Sequence, residues 1–378
     1  MTLPGVTRAV DAAISGRRIA GAVVLISRDG HPVHDQAAGL ADLASETPMR
    51  RGTVFRLASV TKPVIAVTTM HLVEAGDLDL TSPIHRWLGD FRPRLADGSV
   101  PDITVDNLLT HTAGLSYRMS EPPGSDYDRL EVSDGLDRTD LTLQQNLDRI
   151  ARTTLRAVPG TEFRYSLAYD VLGALIESVT GTTLPKAVDQ IVCRPLQLHS
   201  FGFSVGELAQ VATAYSDGLI PITDEPIPND FNVVRFSPER IFDHTQWPSG
   251  GAGAAGTAGD VLRFLESVAL GGDPILTSRT VTEMYAARIG RQLVGTTLHD
   301  SFARGWAVTS PDTAPLYGLP IDSVHWGGAY GHSWAIDPAT RTVVVALTNT
   351  TPEGMAGAFP ADVARAAFTD LATGALDA

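Results

Sequence analysis

The chain holds a single cysteine, Cys193, among its 378 residues, so no intrachain disulfide is possible and nothing in its sulfur content suggests secretion. Lysine is almost as scarce. Of 29 basic residues only Lys62 and Lys186 are lysines. No run of Lys and Arg exists, and the formal charge of -14 disfavours nucleic acid and anionic membrane as partners, since both select for basic patches. No apolar run approaches the ~18 residues of a spanning helix. The first 22 residues carry Asp11, Arg17 and Arg18 and no continuous apolar stretch, so a cytoplasmic protein without a signal segment is expected. The ten histidines show no metal-ligand spacing, so neither metal nor cofactor is expected.

What remains is ordinary globular composition, 43% hydrophobic and 19% charged, long enough for a large core or two packed domains. Val6, Ala9, Val10, Ala13 and Ile14 recur at helical spacing. Residues 21–27 read as a buried strand, and Asp29-Gly30 as a hairpin turn into a second strand reaching about Leu40. From about residue 80 to 249 the pattern changes to helices separated by Pro-, Gly- and Asp-rich loops, including a long loop from Glu121 to Arg138. Strand signals return at 305–308, 324–330, 332–336 and 342–347, and a last helix is predicted over about 361–371. The expected fold is α+β. Strands from both chain ends pair into one antiparallel sheet flanked by terminal helices, forming a discontinuous domain of residues 1–79 and 255–378, with 80–254 inserted as a mostly helical domain.

The densest chemical signal is Ser59-Val60-Thr61-Lys62. A hydroxyl and an amine three residues apart at a helix start share one face within hydrogen-bond reach, the geometry of an activated serine. A helix cap beside a solvated lysine would look the same locally. An arginine-biased chain that keeps a lysine here hints at proton transfer, because arginine cannot be deprotonated in a protein. Two other patterns are weaker. Gly251 to Gly256 matches a dinucleotide-binding fingerprint literally, but the preceding residues do not read as a strand. Gly331-His332-Ser333-Trp334-Ala335 approaches the Gly-x-Ser-x-Gly elbow, yet a strand follows and the last glycine is alanine. His111 and His325 are read as structural or site-lining.

Three separated stretches resemble one family. Ser59 to Lys62 resembles the nucleophile motif of serine β-lactamases and penicillin-binding proteins, Tyr165-Ser166-Leu167 their Tyr-x-Asn, and His325-Trp326-Gly327-Gly328 falls where they have Lys-Thr-Gly. Leu108 to Leu115 resembles a further hallmark, and Trp326 to Trp334 nearly reproduces the Trp-Gly-Gly-x-Tyr-Gly-His-Ser-Trp string of family VIII carboxylesterases of the EstB type. The resemblance implies the β-lactamase/transpeptidase-like fold, with the active site in the cleft between the two domains. It implies an ester hydrolase in which Ser59 attacks and Lys62 and Tyr165 share the general-base role. The oxyanion would be held by backbone N–H groups of Ser59 and Ala329, or of Gly328 if His325 takes the lysine's place. Trp326, Gly327, Gly328 and Leu167 would line the substrate site. Leu167 for asparagine and Trp326 for lysine replace polar anchors with apolar surface, so uncharged short- to medium-chain esters are expected as substrates. Amide or β-lactam hydrolysis, acyl transfer to an alcohol, and a silent scaffold remain as alternatives.

Overall fold

The computed structural model describes residues 2–206, 209–289 and 301–375. Eight strands form one antiparallel sheet whose spatial order runs from Ser301–Phe302 through Ala307–Val308, Val324–Gly328, His332–Asp337 and Thr342–Thr348 to Gly21–Arg28, His31–Asp42 and Thr47–Pro48. The two chain ends meet at its centre. Gly21–Arg28 pairs along its length with Thr342–Thr348, Val24 lying opposite Ala346. The predicted hairpin turn is present, with Asp29 and Gly30 at φ 53° and 74°, both left-handed as a tight hairpin of this twist requires.

The strand Gly21–Arg28 reads as a continuous apolar run because both faces of the sheet are covered. Ala22, Val24 and Ile26 point toward the terminal helices Pro4–Ser15 and Ala358–Thr373, packing with Val6, Val10 and Phe359. Val23 and Leu25 point the other way, into a larger core shared with Val64 and Val67 of helix Thr61–Glu74 and with helix Ala258–Ala269. That opposite alternation is the period-2 geometry of a strand. In helix Thr61–Glu74 every residue from Thr61 to Met70 is buried, as in a helix enclosed by its neighbours.

Several short elements escape the sequence reading. Residues 324–330 do not form one strand: pairing stops at Gly328, and a turn closed by Gly331 N–H to Gly328 O (2.9 Å) follows. The segment 80–254 contains helices Val105–Leu109, Leu143–Ala151 and Ala168–Thr180, but also two ribbons, Tyr215–Ser216 with Ile220–Pro221 and Ile227–Pro228 with Val233–Val234. Two-residue strands are too short to show alternation. A three-residue ladder, Val54–Arg56 against Ala255–Thr257, ties the chain entering the Ser59 turn to the chain leaving residue 254. The core is continuous across this region, so Leu108, Val171 and Leu175 pack in the same cluster as Val23 and Val345.

Candidate active site

Ser59 stands at the seam of that ladder. After Arg56 the chain enters a single 3-10 turn, Ala58–Val60, and only then the helix, so Ser59 precedes the helix the sequence places it on. The turn is fixed from several sides. The buried Arg56 guanidinium donates to the carbonyls of Pro238 (Nε, 2.6 Å) and Ala212 (Nη1, 2.6 Å), and Leu57 N–H donates to Ala254 O at 2.8 Å. Thr61 Oγ1 donates to Ala58 O at 2.6 Å and accepts from Ala254 N–H at 3.1 Å. Ala58 takes φ 45°, a left-handed conformation costly for any residue with a Cβ, and such strain clusters at functional sites. The hydrogen bonds closing this turn come from Val60 and Thr61, so the Ser59 N–H belongs to the orphan donors of a helix start.

Two groups converge on Ser59 Oγ, one a turn further along the chain and one from a distant segment. Lys62 Nζ donates to it at 3.0 Å and Tyr165 OH at 2.7 Å. Lys62 is fully buried, and its second acceptor is Gly251 O at 2.7 Å. The rings of Tyr165, Tyr117 and Tyr169 surround its amine at 4.6, 5.6 and 5.9 Å, within cation–π range. The glycine-rich stretch from Gly251, which no strand precedes, thus supplies a carbonyl to a lysine. The N–H of the same glycine is held by Asp170, whose Oδ1 accepts from Gly251 N–H at 3.2 Å and from Ser249 Oγ at 2.6 Å. Burial pushes the Asp170 carboxyl up, against the hydrogen bond from Ser249.

Tyr165 is held between two further side chains. Trp326 Nε1–H donates to its hydroxyl at 3.3 Å, with the two rings 5.1 Å apart. On the other side the His111 ring lies 4.7 Å away. His111 Nδ1 accepts from Ser166 N–H at 3.2 Å, which places the proton of the neutral ring on Nε2. Burial, reinforced by the Lys62 charge, holds this imidazole well below its ordinary range. Burial also drives the Tyr117 phenol well above its usual value, with the neighbouring Tyr165 adding to the effect.

Of the residues expected to line the substrate site, Trp326, Gly327 and Gly328 lie on the strand Val324–Gly328 beside this cluster, and Ala329 begins the turn after it. A Cβ on Gly328 would sit 2.4 Å from Leu57 O, so only glycine lets the strand approach the Ser59 turn this closely. Leu167 requires correction. Its side chain is 0% exposed and packs in the main core, because the chain turns inward there to enter helix Ala168–Thr180. His325 points to the opposite face of its strand from Trp326 and stacks on Tyr317 at 4.5 Å. Ser333 is a strand residue paired with Gly327, as the sequence suggested. Tyr117, Tyr169, Asp170 and the Gly251 carbonyl were missed. Tyr117 follows the Leu108–Leu115 hallmark by two residues, the one signal that pointed to it. Among the described residues no group of His, Cys, Asp and Glu could hold a metal ion, and no helix is long and apolar enough to cross a membrane.

An antiparallel sheet with both terminal helices on one face, a helical insertion, and a Ser-x-x-Lys turn facing a tyrosine define the class of serine-reactive proteins with the β-lactamase/penicillin-binding-protein fold. The chain belongs to the beta-lactamase family, whose profile matches residues 6–367. It is 44% identical to Esterase EstB of Burkholderia gladioli over 357 residues, 92% of this chain and 90% of that protein. The solved structure of EstCE1, described as a hydrolase with promiscuous acyltransferase activity, superposes with a TM-score of 0.93 at 40% identity, covering 97% of this chain and 98% of that one. Simvastatin synthase LovD from Aspergillus terreus shares the fold at 21% identity, with a TM-score of 0.71 and 96% of each chain covered.

Proposed function

We propose that the chain is a serine carboxylesterase that hydrolyses uncharged esters with short to medium acyl groups through an acyl-enzyme on Ser59. The observation that carries this reading is the convergence of Lys62 Nζ and Tyr165 OH on Ser59 Oγ. The 44% identity to an esterase supports it. Ser59 Oγ attacks the ester carbonyl and its proton passes to the Lys62–Tyr165 pair hydrogen-bonded to that oxygen, a step that requires one member in its basic form, neutral amine or phenolate, to accept it. The tetrahedral oxyanion is received by the N–H groups of Ser59 and Ala329. Collapse breaks the bond to the leaving alkoxide, which takes the proton from the pair. Water then repeats the sequence on the acyl-enzyme and releases the acid. The site occupies the cleft between residues 1–79 with 255–378 on one side and 80–254 on the other.

Two features support an uncharged substrate. Arg118 and Arg164, the arginines nearest in sequence to the site tyrosines, are paired with Asp128 (2.8 Å) and Glu162 (3.2 Å), while Arg56 and Arg240 spend their donors on backbone carbonyls. A substrate carboxylate would have to compete with these partners for them. The half-buried Ala252 and Ala329 also pack on an apolar cluster of buried Ala58, Leu136 and Phe236, so the chain beside Ser59 is backed by hydrocarbon. The likeness to EstCE1 supports a second outcome for the same acyl-enzyme, transfer to an alcohol in place of water.

Steady-state hydrolysis of p-nitrophenyl butyrate by the wild type and by folded Ser59→Ala tests the reading. Activity lost in the variant is expected. Activity retained by it would remove Ser59 from the reaction and turn attention to Ser333.

A further inference from the structure

The string from Gly331 to Trp334 has no part in the chemistry above, yet one of its side chains reaches the Ser59 turn. We infer that His332 is a positioning residue for the oxyanion site: by donating Nε2–H to the Arg56 carbonyl it holds the turn bearing the Ser59 N–H against the strand end bearing the Ala329 N–H. The inference rests on the assignment of those two N–H groups as the oxyanion donors.

His332 is 1% exposed, and its Nε2 lies 2.8 Å from Arg56 O. A carbonyl oxygen can only accept, so the ring nitrogen is the donor and the proton of the neutral ring resides on Nε2. Nδ1 is buried and makes no hydrogen bond. Burial draws the imidazole down to about 4, against the opposing hydrogen bond to the Arg56 carbonyl, so the single-donor neutral ring persists through the neutral range.

The bond crosses a close contact between two backbones. Arg56 is three residues before Ser59, and His332 pairs across the ladder with Gly328, the residue before Ala329. Between them the two backbones touch: a Cβ on Gly328 would meet Leu57 O at 2.4 Å, His332 Cδ2 at 3.1 Å and Val60 Cγ2 at 3.2 Å. Van der Waals contact sets how near these segments come but does not stop them from separating. The bond to Arg56 O supplies that restraint. The far side of the turn is anchored as well, since Gly331 O accepts from Thr348 N–H (3.1 Å) and Thr348 Oγ1 (2.8 Å). Ring contact with Phe55, edge-on at 5.6 Å, fixes the imidazole plane. A neutral side chain with one long-reaching N–H fits this place, whereas a lysine or arginine would bury a charge there.

Three variants separate positioning from bulk packing. His332→Gln carries an amide N–H to nearly the place of Nε2, His332→Phe keeps the ring without the donor, and His332→Asn keeps an amide too short to reach. Each is assayed on p-nitrophenyl butyrate beside wild type and Ser59→Ala, with kcat referred to active sites counted by fluorophosphonate labelling. His332→Phe and His332→Asn are expected to lose kcat by ~10- to 100-fold, below the 10²–10³ for complete removal of an oxyanion donor. KM should stay within about twofold, and His332→Gln should recover most of the loss. If His332→Phe fails to fold, the Gln and Asn pair makes the same comparison. Equal kcat in folded Asn or Phe variants and wild type, a loss confined to KM, or a Gln variant as impaired as Phe would overturn the inference. Ser59→Ala keeps the outcomes apart: an active Ser59→Ala defeats the esterase assignment, while an inactive one beside an unimpaired His332→Phe defeats only the role of His332.

Discussion

Gly328→Ala is a substitution of one methyl group whose consequence follows from distance alone. Gly328 does not occupy a left-handed conformation, so alanine is conformationally allowed and the effect is steric. The new Cβ would lie 2.4 Å from Leu57 O, against about 3.4 Å for ordinary carbon–oxygen contact, and the obstacle is backbone that cannot rotate away. The strand ending at Gly328 and the Ser59 turn must therefore part by about 1 Å. Overpacking of this kind costs ~1–3 kcal/mol of stability. If Ser59 N–H and Ala329 N–H bind the oxyanion, a donor moved by that much falls outside bonding distance, and losing one donor costs about 3 kcal/mol in the transition state, or ~100-fold in kcat. The assay is kcat and KM on p-nitrophenyl butyrate, with active sites counted by fluorophosphonate labelling and folding followed by thermal denaturation. Gly52→Ala, where a Cβ meets nothing within 4 Å, is the control. A Gly328→Ala enzyme with kcat within twofold of wild type and an unchanged Tm would refute both the contact and the placement of the oxyanion donors.

Trp326→Phe retains an aromatic ring beside Tyr165 but removes the 3.3 Å donor to its hydroxyl, so kcat should fall by up to ~10-fold, the worth of one ordinary hydrogen bond; an unchanged kcat and pH profile would reduce the indole to packing. His332 also sets an acid limit on stability. Its imidazole is held at about 4 in the fold and titrates near 6.5 when unfolded, so the unfolded chain takes up a proton first as pH falls. Stability from this group is complete above pH 6.5 and declines toward pH 4, by about 3 kcal/mol at ~1.4 kcal/mol per pH unit. Buried His111 contributes in the same direction. Urea denaturation of wild type and His332→Gln between pH 4 and 7 should show a shallower slope in the variant; parallel curves would contradict the buried neutral ring.

What could be read from the sequence was what side-chain identity and spacing encode. Ser59 and Lys62 share a helix start, Tyr165 sits on a loop before an apolar helix, and Trp326 stands in a glycine-flanked strand; the fold brings the four together. The sheet was legible because Gly21–Arg28 and Thr342–Thr348 are long apolar runs bounded by turn residues. Leu167 misled because its position was inferred from its distance to Tyr165, and two residues along a chain turning into a helix is enough to face the core instead of the cleft.

The rest was hidden for a common reason. The positions that hold Ser59 in place are largely backbone atoms: Ala254 O and N, Gly251 O, Leu57 O and Arg56 O. Every residue carries the same carbonyl and nearly every one the same N–H, so no residue type announces which will be used. The sequence betrays them only indirectly, through what each neighbouring position must be. Gly251 lacks a Cβ because one would press on Asp170 Oδ2 at 2.7 Å, and Gly328 lacks one because Leu57 O lies behind it. Gly251, in the stretch that literally matches a dinucleotide-binding loop, and Gly328, in the Trp-Gly-Gly string, thus mark close approach around the Ser59–Lys62 pair. Each lies where two segments of chain must nearly touch.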